Sequence, residues 1–99
     1  RLEKLADQQI NTPNLSDIED GTYIGEASVF PISVQVEVTV KDHMIKSIEL
    51  LKHTNGQGKE AETIVDTVIE KQQLEVDVIS EATYSSKVIL LAIEDALTP

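Results

Sequence analysis

Ninety-nine residues suffice for one domain and leave no room for two, so the core must be simple. Hydrophobic residues at 40% exclude a disordered chain, while 18 acidic against 8 basic residues, a net charge of −10, oppose nucleic acid and anionic membrane faces as partners. Cysteine is missing altogether, which removes disulfides, iron–sulfur clusters, cysteine-based zinc sites and a thiol nucleophile.

The chain begins at Arg1 rather than Met, as expected of a shortened or processed product, so a signal or anchor ahead of it stays open. Within it no apolar run approaches the roughly 18–20 residues that a membrane span requires. Residues 1–9 suit a short helix, with Leu2, Leu5 and Ala6 at helical spacing. Residues 10–20, rich in Pro, Asn, Ser and Asp, read as a linker. Residues 1–19 are thus helix and linker, and the domain proper runs from Asp20-Gly21 to the end of the chain.

Residues 22–27 suit a first strand. The clearest strand is 32–40, where Ile32, Val34, Val36, Val38 and Val40 alternate with Ser33, Gln35, Glu37 and Thr39. Lys41-Asp42-His43 breaks this run, and the next strand, 44–51, alternates imperfectly through Met44 or Ile45, Ile48 and Leu50. So short a connection implies an antiparallel hairpin, and Asp and His both tolerate positive φ there. After the break Asn55-Gly56-Gln57-Gly58, the residues Ala61, Ile64, Val65, Val68 and Ile69 form one helical stripe, closed by Gln72-Gln73. Residues 74–79 read as a short extended strand. Ser85 or Ser86 is placed to cap a last helix over 87–97, apolar nearly all round and therefore buried. The order implies an α+β domain, a small antiparallel sheet with two main helices packed on one face. Val34, Val36, Val38, Ile48 and Leu50 are expected to face the stripe of Ile64, Val65, Val68 and Ile69.

The chemistry-bearing segment is 77–86, with five hydroxyl residues, Ser80, Thr83, Tyr84, Ser85 and Ser86, ahead of a buried helix. A helix N-terminus presents unpaired N–H groups and partial positive charge, and hydroxyls add donors for a phosphate or another anion. The alternative for the same residues is plain helix capping. His43 and His53 lack the partners of a metal site and read as surface residues. Gly56-x-Gly58 lacks a dinucleotide fingerprint. Ser85 with either histidine lacks the nucleophile elbow of a hydrolase.

Residues Asp77, Ser80, Ala82, Thr83, Ser85 and Ser86 match a pattern of Asp, two variable residues, Ser-Gly-Ala-Thr, one residue and Ser/Thr-Ser leading into a helix. Asp20-Gly21-Thr22-Tyr23-Ile24-Gly25, the hairpin 38–45, His53 before Gly56-Gln57-Gly58, Ala61-Glu62 and Gln72 also fall in order. On these residues about four-fifths of the chain resembles the FMN-binding domain family, which includes flavoprotein subunits of the sodium-translocating NADH:quinone oxidoreductase and of the related ferredoxin:NAD oxidoreductase complex. The resemblance implies FMN as cofactor and an electron-transfer flavin carrier rather than a stand-alone enzyme. It implies a site of Thr83, Ser80, Ala82, Tyr84, Ser85, Ser86 and Glu81, with His53 and Gln72 nearby, and in the covalent branch a phosphoester to Thr83 installed by a flavin transferase. A redox partner protein or membrane complex, and an extracytoplasmic, membrane-anchored or secreted bacterial setting, follow from the same resemblance. One position departs: Glu81 stands where the family has Gly. A glycine there marks positive φ or close backbone approach. A carboxylate at roughly 4 Å from a phosphate costs about 4 kcal/mol at an effective dielectric of about 20. Glu81 therefore favours a second reading, a non-catalytic extracytoplasmic interaction module that keeps the fold and has lost the flavin.

Overall fold

A computed structural model describes residues 2–5, 7–54 and 59–98 of the chain. Three strands, β1 (Gly21–Val29), β2 (Ile32–Lys41) and β3 (Met44–Thr54), form an antiparallel sheet in the order β1-β2-β3. The helices are α1 (Leu2–Leu5), α2 (Ile64–Lys71) and α3 (Thr83–Ala96), with 3₁₀ turns at Leu15–Asp17 and Lys59–Thr63. This is the α+β fold expected from the apolar periods. The break at Asn55-Gly56-Gln57-Gly58 lies outside the described residues.

β2 buries Ile32, Val34, Val36, Val38 and Val40 on one face, as its strict alternation requires. The β2–β3 hairpin turns on Asp42 and His43, with φ of 54° and 61°, the two left-handed residues of a type I′ turn. β3 alternates imperfectly for a visible reason. The register runs Val40↔Ile45, Thr39↔Ser47, then Val36↔Leu50, Gln35↔Lys52, so Lys46 and Leu51 are extra residues at two bulges. Each bulge restores the pleat, and Ile45, Ile48, Leu50 and finally His53 share the inner face.

The two helices lie over different strands. α3 packs across β1 and β2, while α2 packs on β3. The stripe of α2 therefore does not cover the β2 valines as expected from the matching periods. The longer and more apolar α3 does so, burying Val88, Ile89, Leu90, Ala92, Ile93 and Ala96. Within the α2 stripe Ala61, Ile64 and Val68 are buried, and Val65 and Ile69 pack against the core at its edge.

Three local expectations need correction. Residues 74–79 form no strand, because their amides are taken elsewhere: Leu74 N–H donates to Thr12 Oγ1 (2.8 Å), Val76 N–H to the Leu74 carbonyl (2.9 Å) and Ile79 N–H to Ser86 Oγ (3.1 Å). The first helix is the single turn Leu2–Leu5, anchored by the buried Leu5, and residues 7–9 are not helical; Arg1 and Ala6 lie outside the described residues. The last helix starts at Thr83, four residues earlier than expected, so Ser85 and Ser86 lie inside its first turn and Ala82 is the N-cap.

Candidate functional site at the start of α3

Residues Ile79-Ser80-Glu81-Ala82 make a tight turn into α3, closed by Ala82 N–H to the Ile79 carbonyl at 2.9 Å. Glu81 occupies its third position with φ of +66°, where a type II turn prefers glycine. Its side chain is exposed. A β carbon costs roughly 1–2 kcal/mol in that conformation. The following residue, Ala82, has no side-chain oxygen and caps nothing. The first intrahelical bond runs from Ser86 N–H to the Ala82 carbonyl (2.9 Å). α3 thus opens with no side-chain cap, its positive end toward an exposed Ser80 and a half-buried Thr83.

The two serines expected beside a phosphate are instead fully buried, each tied to a neighbouring segment. Ser86 Oγ accepts from Ile79 N–H and holds the turn against the helix. Ser85 Oγ meets His53 Nε2 at 3.1 Å, and His53 Nδ1 meets Glu62 Oε2 at 3.1 Å. His53 is therefore no surface residue. Its side chain is only 7% exposed, because the second bulge of β3 turns it inward opposite Val34. The serine–histidine–carboxylate chain is present, but a serine oxygen with no exposure meets no substrate, and hydrolase chemistry is not what it supports. His43, by contrast, is exposed on the hairpin turn, its Nδ1 at 3.2 Å from the Leu15 carbonyl.

Ser80, Glu81, Ala82, Thr83, Tyr84, Ser85, Ser86 and His53 are thus brought to one end of the sheet. Gln72 lies apart. It ends α2 in a left-handed conformation (φ 56°), its Oε1 accepting from Ile45 N–H (2.8 Å) and its Nε2 donating to the carbonyls of Ile45 (2.9 Å) and Ile69 (2.7 Å). At about 3.3 Å per residue, Ile45 is more than roughly 20 Å along β3 from His53. Glu62 was missed in the sequence, although its place just after Ala61 put it in the helix following the glycine segment. Its link to His53 depends on the inward turn of β3, which no local pattern shows. A cleft of about 420 Å³ lined by residues including Ile18, Glu19, Tyr23 and Leu97 opens at the other end of α3, away from Thr83.

A family model for the FMN-binding domain matches residues 31–98. The chain belongs to the FMN-binding domain family. The match spans β2, β3, α2, the turn and α3, the elements that build this end of the molecule. FMN is the cofactor that membership in the FMN-binding domain family assigns, and binding it is the role of the domain. The residues present fit the group: an uncapped helix terminus complements a phosphate, and Ser80 and Thr83 offer hydroxyl donors beside it. No curated protein matches the chain in sequence. Among the described residues, no helix is long and apolar enough to cross a membrane.

Proposed function

We propose that this FMN-binding domain is an electron-transfer carrier whose flavin is held at the start of α3, with Thr83 as its covalent anchor through a phosphoester. The observation that carries this reading is the position of Thr83. It is the first residue of an uncapped helix, half-buried, and so lies at the positive end of the helix. Ser85 and Ser86 are buried and engaged, which leaves Thr83, Ser80 and the half-buried Tyr84 as the hydroxyls for a phosphate, and of these Thr83 is the one that matches the acceptor of the motif. When bound, FMN supplies the redox chemistry, and the chain supplies position and electrostatics. A flavin transferase would install the cofactor, a redox protein or membrane complex would exchange electrons with it, and the setting would be extracytoplasmic, anchored or secreted.

Intact mass and the visible spectrum after co-expression with a flavin transferase test this reading. The wild-type protein is expected to be yellow and heavier by one FMN less the water lost in forming the phosphoester. Thr83→Ala is expected to lose the adduct entirely while its stability changes by no more than about 1 kcal/mol, and Thr83→Ser to keep part of it. An adduct undiminished in Thr83→Ala, or mapped to a peptide without Thr83, overturns the assignment. The second reading, an interaction module of the same fold without flavin, is favoured by the charge of Glu81 and would leave the wild type colourless under the same conditions.

A further inference from the structure

Ser85 belongs to a buried chain of three side chains that begins at the surface with Glu62. A carboxylate only accepts, so His53 Nδ1 carries a proton and donates to Glu62 Oε2 at 3.1 Å. In the neutral ring Nε2 is then the acceptor, and the Ser85 hydroxyl 3.1 Å away donates to it. The three members come from separate places: the 3₁₀ turn before α2, the end of β3 and the first turn of α3. Exposure falls along the chain, from 37% for the Glu62 side chain to 7% for His53 and none for Ser85. Only Glu62 reaches solvent appreciably, yet it decides which ring nitrogen of His53 holds the proton.

We propose that Glu62 is a positioning residue of the FMN site, acting through His53 on Ser85 to fix the first turn of α3 that presents Thr83. The proposal rests on the reading of α3 as the flavin site. Its physical content is that Ser85 is not a phosphate ligand. Its proton is directed into the protein toward β3, and its role is to tie the helix start to the sheet. Without Glu62 the histidine ring is free to carry its proton on Nε2 instead. Nε2 then becomes a donor toward Ser85, the hydroxyl must turn, and the tie that aligns the first turn with Thr83 is remade with another geometry.

Two measurements on the full chain test this together. Long-range proton–nitrogen NMR of the His53 ring, at a pH where the ring is neutral, reads the tautomer in the flavin-free protein. Titration of free FMN, followed by quenching of its fluorescence, reads the site. The wild type is expected to show the Nδ1–H form. Glu62→Ala is expected to shift the ring toward Nε2–H and weaken FMN binding about tenfold, the size of one lost charge-assisted hydrogen bond. Glu62→Gln keeps a carbonyl acceptor for Nδ1–H and is expected to retain the tautomer and most of the affinity. A changed tautomer with undiminished FMN binding in Glu62→Ala overturns the proposal, as does an unchanged tautomer. Glu62→Gln as weak as Glu62→Ala overturns it too, since charge and not the hydrogen bond would then be acting. A wild-type protein that takes up no FMN while showing the Nδ1–H ring overturns the flavin reading, and this proposal with it.

Discussion

Glu81 sits where backbone conformation and charge both favour glycine. Its φ of +66° is a conformation that glycine adopts more readily, and the side chain itself is exposed. Glu81→Gly is therefore expected to raise stability by about 1 kcal/mol, net of the greater freedom glycine has when unfolded. A urea midpoint that rises at constant slope reports this, and a fall in the midpoint contradicts it. The same variant is expected to bind FMN more tightly, by removing a like charge near the phosphate. At this scale the sequence was informative about the residue and silent about its neighbours. The motif identified Thr83 and the departure at Glu81. It gave no hint that Ser85 and Ser86 point inward, because burial of a hydroxyl depends on which strand and turn lie behind it.

α3 and β1 approach each other closely because both give up side-chain volume at the contact. A β carbon on Gly25 would fall 2.2 Å from the Ala92 carbonyl oxygen and 2.4 Å from the Ala96 nitrogen, both backbone atoms. Beside it Glu26 N–H donates to Asp95 Oδ2 at 3.0 Å, so the helix also satisfies an amide on the edge strand. Gly25→Ala is expected to push α3 off the sheet and cost about 3 kcal/mol, seen as a lower thermal midpoint. A near-wild-type midpoint would mean that α3 sits farther from β1. At the other end of the sheet, Gln72 links α2 to the backbone of β3 next to its first bulge. Gln72→Ala removes three hydrogen bonds and leaves Ile45 with an unpaired amide, and it should cost about 2 kcal/mol without lowering FMN affinity directly. Loss of flavin binding in a variant that remains folded would instead give Gln72 a place near the cofactor. Strict alternation made β2 legible in the sequence. The bulges of β3 were legible only as imperfect alternation, since one extra residue reverses the faces and its position depends on the partner strand.

The N-terminal segment joins the fold through contacts to distant parts of the chain. Ile10 and Ile18 are buried in the core, and Asn11 N–H donates to Glu94 Oε2 at 3.3 Å. The Thr12 hydroxyl donates to Glu75 Oε1 while accepting from Leu74 N–H, and Thr12 N–H donates to Glu75 Oε2 (3.3 Å). The hydrogen bond from the Thr12 hydroxyl is the main cause holding the Glu75 carboxyl below its ordinary value. A carboxyl whose folded value is depressed contributes stability above its unfolded value, and that contribution disappears as pH falls through the folded one. Thr12→Val should therefore raise the Glu75 value toward that of a free glutamate and flatten this small part of the acid limb. Side-chain carboxyl NMR across the acid range checks it, and an unmoved Glu75 titration would separate the two residues. Composition and local periodicity by themselves determined a small acidic α+β domain, its three hairpin-linked strands and its two main helices, because those follow from spacing along one segment, whereas the motif around Thr83 was legible through the resemblance to the family. Which helix covers which strand, the inward turn of His53, the link from Glu62 to Ser85 and the hydrogen bonds from Thr12 to Glu75 were decided only in the tertiary structure. Each joins residues far apart in the chain, and such contacts depend on packing volume and register that no single segment carries.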